Sequence, residues 1–100
     1  MIDCDKIFGL LANRHRRCIL FSLYRQEQVN AVAAADFGGK RKENLIVELS
    51  HTHLPKLAEA GVIDHNEGSQ YINRGENFEA IVPVLDALAP LRSDLPDMHS

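Results

Sequence analysis

Residues 43–63 read E-N-L-I-V-E-L-S-H-T-H-L-P-K-L-A-E-A-G-V-I, and this stretch decides the fold. Ile46, Leu49, His53, Leu54 and Leu57 recur at steps of three and four, the spacing of one helix face. Gly61 stands where a helix needs a left-handed stop. Val62 and Ile63 then open a β-branched run, so extended chain follows. The pattern predicts a long amphipathic helix over 42–60 and a strand from 62. Pro55 lies inside that helix. It cannot donate to the carbonyl of His51, and its ring crowds the turn. The helix therefore kinks there or restarts with Pro55 near its first position.

Working outward toward the C-terminus, Val62 to His65 reads as a strand. Asn66-Glu67-Gly68-Ser69 reads as a turn in which Gly68 can take positive φ, and Gln70 to Asn73 as the returning strand. A hairpin directly after such a helix is a wing. A last helix is expected from Glu76 to about Leu91, with Phe78, Ile81, Val82, Leu85, Leu88 and Leu91 apolar and Pro83 in its interior. The polar tail from 92 to 100 should fray.

Working toward the N-terminus, Gly38-Gly39 breaks the chain and Lys40-Arg41-Lys42 follows it. Ala31 to Asp36 reads as a short helix capped by Asn30, its alanines allowing close approach of the long helix. Val29 is placed in a strand of one to three residues that pairs with the wing. Arg14 to Arg25 reads as a helix buried on more than one side and capped by Asn13. Cys4 to Ala12 reads as a helix capped by Asp3, with Ile7, Phe8, Leu10 and Leu11 as its apolar face. The expected fold class is mainly α with a small β-hairpin: a winged helix-turn-helix domain over 1–91 and a tail over 92–100.

One hundred residues make one domain, with a core that needs no staples. No 18-residue apolar run is present, and M-I-D-C-D-K has neither the basic nor the apolar region of a signal peptide. Cytoplasm is the expectation, with Cys4 and Cys18 as reduced core cysteines. The net charge of −3 is unevenly spread. Residues 1–56 hold nine bases and six acids, a net of +3; residues 57–100 hold two bases and eight acids, a net of −6. A basic front suits a polyanion on one face. The acidic remainder also suits a high-salt cytoplasm, for which a pI of 5.9 is mild.

The string from His53 to Ile63 resembles the H-L-x-x-L-x-x-A-G-[LIV]-[LIV] ending of recognition helices in ArsR-like repressors. The fuller H-T-H-L-P-K-L-A-E-A-G-V-I is similar to a winged-helix domain abundant in haloarchaea. Asn13, Arg16, Arg17, Ile19 and Leu20 come close to that family's N-x-x-R-R-x-x-[IL]-L. The resemblance implies a winged helix and a regulatory role, with no known target. The family keeps a proline in the string, which favours a kink at Pro55 over an end. Relatives often carry a longer acidic insertion near Gly38-Gly39, where this chain is short.

If the apolar row faces the core, the opposite side shows Asn44, Glu48, His51, Thr52, Pro55 and Lys56. Asn, Thr, His and Lys can bond base edges or phosphates in a major groove; a merely solvated face is the bland alternative. Glu48 repels phosphate unless it accepts from a cytosine amino group. Lys40, Arg41 and Lys42 suit a phosphate clamp, and Ser69 and Gln70 of the wing complete the expected DNA-binding set. Arg14, Arg16 and Arg17 are misplaced for the dipole of their own helix. That points to an external anion or, more simply, to internal carboxylate partners.

His51 and His53 sit about 200° apart on a helix, so they do not share an ion, and no metal or cofactor is expected. His53 reads as a buried, hydrogen-bonded histidine. No glycine-rich phosphate loop, G-x-S-x-G or acid pair marks an enzyme. The last helix has more apolar surface than a small core needs. Phe78, Ile81, Val82, Leu85 and Leu88 are therefore expected to form a two-fold dimer contact, helped by residues 4–12. Packing onto the first helix is the alternative. The expected function is sequence-specific binding of double-stranded DNA by a homodimeric transcriptional regulator. It would use the Lys42–Ala60 helix and the 62–73 wing. A winged-helix protein-interaction module without DNA binding is the rival.

Overall fold

The computed structural model describes residues 3–35, 41–66 and 68–91. The chain is mainly helical with one small antiparallel sheet, an arrangement compatible with a winged helix. Helix α1 spans Cys4–Leu11, α2 Arg14–Arg25 and α3 Ala31–Ala34. Helix α4 (Lys42–Glu48) runs through a π-helical turn (Leu49–His53) into α5 (Leu54–Glu59). Strands β1 (Gln28–Asn30), β2 (Ile63–His65) and β3 (Tyr71–Arg74) form the sheet, in the order β1-β3-β2. Helix α6 (Phe78–Leu88) ends in a 3-10 turn, Ala89–Leu91. Asp36, Gly38, Gly39, Lys40 and the tail over 92–100 lie outside the described residues.

The helix starts follow from local bonding. Asp3 Oδ1 accepts from the Lys6 N–H at 2.8 Å, and Asn13 Oδ1 from those of His15 and Arg16 at 2.8 and 3.2 Å. Asn30 Oδ1 accepts from the Ala33 N–H at 3.1 Å. Each cap satisfies donors that the first helical turn leaves orphaned. The stop after α5 is a Schellman motif. The Gly61 N–H reaches Ala58 O at 3.0 Å and the Val62 N–H reaches Leu57 O at 3.2 Å, with Gly61 at φ +79°. Gly75 serves another purpose, since a Cβ there would lie 2.3 Å from Gly61 O. The bare backbone lets the end of β3 close against the start of β2, where the Gly75 N–H bonds Val62 O at 3.0 Å.

Strand β1 is the short strand expected at Val29. Its register pairs Val29 with Ile72, while His65 of β2 pairs with Ile72 from the other side. One core runs through the molecule, with Ile19, Leu20, Leu23, Leu45, Leu57, Val62, Ile72 and Leu85 all fully buried. Three expectations about burial need correction. Phe8 is exposed, because Ile7, Leu10 and Leu11 already cover the inner face of α1. Cys4 is exposed at the first turn of α1, and only Cys18 is a core cysteine.

The third correction concerns α6, which packs on α2. Phe78, Ile81 and Leu85 are buried in this chain's own core and cannot also face a second copy. Val82 and Leu88 are half-buried at its edge. The apolar excess of the last helix is thus largely consumed internally. Helix α6 continues through Pro83. Among the described residues no helix is long and apolar enough to cross a membrane.

Candidate nucleic-acid interface

The long helix is built around its proline. Pro55 has no N–H, and the preceding Leu54 N–H reaches back five residues to Leu49 O. The turn ahead of the ring is widened, which is how a helix takes in a proline without ending. Leu54–Glu59 accordingly begins with Pro55 in its first turn, while residues 42–59 remain continuously helical. Widening also sets the face. Leu45, Leu49, His53 and Leu57 are buried at uniform steps of four, with Leu54 beside them. In an undistorted α-helix each such step drifts by about 40°; a wider turn takes some of that back. Leu45, and not Ile46, therefore begins the inner row, and Ile46 lies at 38% exposure.

Asn44, His51, Thr52, Pro55 and Lys56 are exposed, as are Arg41 and Lys42 at the start of the helix. Arg41 lies 3.8 Å from Glu43, both side chains largely in water. Such a pair is weak and leaves the guanidinium available to another anion. Lys56 sits beside α1, sharing a hollow of about 220 Å³ with Asp5, Lys6 and Glu59. Lys40 lies outside the described residues.

The wing reaches the same side. A cleft of about 200 Å³ is lined by Ala31 and Val32 of α3, Ile46, Leu49, Ser50 and Leu54 of the long helix, and His65, Gly68, Ser69 and Gln70 of the hairpin. Ser69 holds the turn. Its N–H donates to Asn66 O at 3.1 Å, its Oγ accepts from the Tyr71 N–H at 3.1 Å, and its carbonyl lies 2.9 Å from His65 Nε2. Gln70 ties the wing to α3. Its carbonyl accepts from the Ala31 N–H at 2.7 Å and its Oε1 from Asn30 Nδ2 at 3.2 Å, and the residue is exposed. Asn30 is thus fixed at both ends of its amide, as cap of α3 and as partner of the wing.

Beneath the exposed face sits a buried polar group. Arg16 Nη1 lies 3.2 Å from His53 Nδ1. The same guanidinium donates to Leu10 O at 2.9 Å and Gly9 O at 3.1 Å, and Arg17 Nη1 donates to Leu11 O at 3.0 Å. The arginines opening α2 thus cap the last carbonyls of α1. For Arg16 this corrects the expectation of a carboxylate or external-anion partner, since the acceptors shown are carbonyls and an imidazole.

His53 Nε2 lies 3.6 Å from Glu48 Oε1, and its ring centroid 5.6 Å from that of His15. Burial, then the charge of Arg16, then His15 push the His53 pKa down, against the raising effect of Glu48. Burial also lowers that of Arg16, whose guanidinium stays charged at neutral pH. Glu48 is half-buried and leans to the inner border of the helix, away from the centre of the outward face.

His51 is exposed and His53 buried, so the two rings point to different sides of the helix. Among the described residues no group of three or more His, Cys, Asp or Glu side chains could hold a metal ion. Sequence reasoning missed two residues here. Val47, at 56% exposure, stands on the outward face between Asn44 and His51, a place the apolar periodicity did not mark. Arg74 fastens the wing to α2 through Leu23 O at 2.7 Å and Tyr24 O at 3.1 Å, with its guanidinium 5.2 Å above the Phe78 ring.

Neither a curated protein nor a solved structure matches the chain. Residues 8–73, from α1 through the wing, match one family model and make up about two thirds of the sequence. By that match the chain belongs to the family described as Domain of unknown function (DUF7344).

Proposed function

We propose that this chain is a sequence-specific DNA-binding transcriptional regulator of the winged helix-turn-helix type, akin to the ArsR-like and haloarchaeal winged-helix proteins its recognition string resembles. It acts in the cytoplasm on double-stranded DNA, as a homodimer. The Lys42–Ala60 segment is the recognition helix and residues 62–73 the wing. The observation that carries this reading is the outward row Asn44, His51, Thr52 and Lys56, all exposed on one continuous helix beside a hairpin. A major groove admits one helix, and these side chains offer hydrogen bonds to base edges and phosphates. Arg41 and Lys42 supply charge at the leading end, and Gln70 presents its amide from the wing.

Retardation of random duplex DNA across a salt series tests the proposal. The affinity is expected to fall linearly on a log–log plot, by up to about 0.9 in slope per phosphate neutralised. Replacing Arg41 and Lys42 with Gln should flatten that line. No retardation at low salt would favour the protein-interaction module instead.

A further inference from the structure

We propose that Val47 reads the 5-methyl group of thymine, so that the recognition helix selects a site containing at least one thymine at the position it faces. The inference rests on the DNA-binding reading above and names what one unassigned residue does within it.

Val47 is a β-branched residue near the end of α4, inside the continuous helix over 42–59, where its stiff side chain is a poor helix former. It is 56% exposed and lies outside the core cluster, so burial inside this chain does not offset that disadvantage. A lone exposed valine needs no explanation on an ordinary surface. This one is framed by groups suited to base edges, with Asn44 one turn before it and His51 one turn after it. Charge at both ends, Lys42 and Lys56, would draw the phosphates in. Ile46 is its neighbour in sequence but lines the cleft toward the wing, which leaves Val47 as the apolar side chain between Asn44 and His51 in the outward row, with Pro55 further along it.

A major groove presents donors, acceptors and one kind of apolar group among the four bases, the thymine methyl. A valine placed among hydrogen-bonding residues complements that group. Against cytosine, guanine or adenine it would cover a polar edge without a partner, which costs free energy. The same contact thus favours thymine and rejects the others.

The test begins with selection of binding sites by the full chain from a randomised duplex library. Each thymine of the selected site is then replaced by deoxyuridine, which removes the methyl and keeps the base pair. At one or more positions the wild-type chain should lose affinity by about fourfold, the size of one methyl group's burial. Val47→Ala should bind the thymine site about as weakly as the wild type binds the deoxyuridine site, and should be indifferent to the replacement. Lys56→Ala should bind less well overall yet keep its sensitivity to deoxyuridine. A selected site whose thymines can all be replaced without loss overturns the proposal. So does a Val47→Ala chain that remains sensitive. Failure to retard any duplex overturns the DNA-binding reading itself, and this inference with it.

Discussion

Arg16 donates through Nη1 to Nδ1 of His53 across 3.2 Å, joining the start of α2 to the widened turn of the long helix over 42–59. An arginine can only donate, so Nδ1 accepts and the hydrogen of the neutral ring is on Nε2, facing Glu48. One guanidinium therefore fixes three things: the end of α1, the tautomer of His53 and the seat of the long helix. Arg16→Met keeps much of the stem and loses every one of those bonds. It should destabilise the fold by about 1.5–3 kcal/mol, the range for hydrogen bonds from a charged donor. The measurement is the urea midpoint at unchanged slope. An unmoved midpoint would mean that this buried group holds nothing together.

The same contact predicts a pH dependence. The His53 pKa is lowered from 6.5 in the folded chain, first by burial and then by Arg16 and His15. The unfolded chain therefore binds the proton more readily than the folded one, and stability rises with pH where the two differ. The stabilisation is complete above 6.5 and is lost as pH falls from there through the folded value. Thermal melts between pH 7.5 and 5.5 should show a falling Tm in the wild type. In His53→Gln the fall should be smaller, from a lower starting point. Parallel curves for the two chains would exclude His53 as the group responsible.

Gly61→Ala isolates the stop of the long helix that ends at α5. The position has φ +79°, and an added Cβ would lie 2.6 Å from Asn77 Nδ2. That nitrogen donates to Ala60 O at 2.9 Å, so relief of the clash breaks a second bond across the same junction. The left-handed conformation alone costs an alanine about 1–2 kcal/mol, and the measured loss should exceed it. A midpoint equal to the wild type would show that the junction can relax freely.

What was legible in the sequence shares a physical basis. Asp3, Asn13, Asn30 and Gly61 act on donors or acceptors within a few residues of themselves, so their types and spacing announce them. The order of helices, wing and short strand follows from periodicity changes of the same local kind. What failed depends on relations that spacing does not record. Ile46 and Leu45 exchange places because Pro55, nine residues from Ile46, goes with a widened turn that shifts the inner face. Arg16 and Arg17 look misplaced until the carbonyls of α1 come round to meet them. The apolar excess of the last helix is no excess once Phe78, Ile81 and Leu85 are packed in the core. Val47 stands out only when exposure is known.

That packing changes how assembly is tested. Leu85 is fully buried, so Leu85→Glu should unfold the single chain by forcing an unpaired charge into an apolar core. It says nothing of a partner. Leu88 and Val82, at the half-buried margin of α6, are the informative positions. If a second copy covers that margin, light scattering at micromolar concentration gives the mass of two chains. Leu88→Glu should then return the mass of one chain with the helical circular dichroism intact. A wild-type mass of one chain would end the dimer proposal and the expectation of a palindromic site.

The outward row separates two kinds of contact, and the distinction can be measured. Lys56 is a point charge at the α1 end of the helix, suited to a phosphate. Lys56→Ala should therefore weaken binding to all duplexes alike and reduce the salt slope by about one phosphate's share. His51 and Thr52 carry directional donors and acceptors nearer the middle of the helix. His51→Ala or Thr52→Ala should relax preference at particular base pairs by about 1–3 kcal/mol while leaving affinity for random DNA nearly unchanged. All of these side chains are exposed, so the variants should keep the wild-type fold, which circular dichroism verifies. The decisive quantity is the ratio of specific to random affinity in each variant. If it is the same in all of them as in the wild type, recognition does not pass through this helix, and the wing with its Gln70 amide becomes the surface to mutate next.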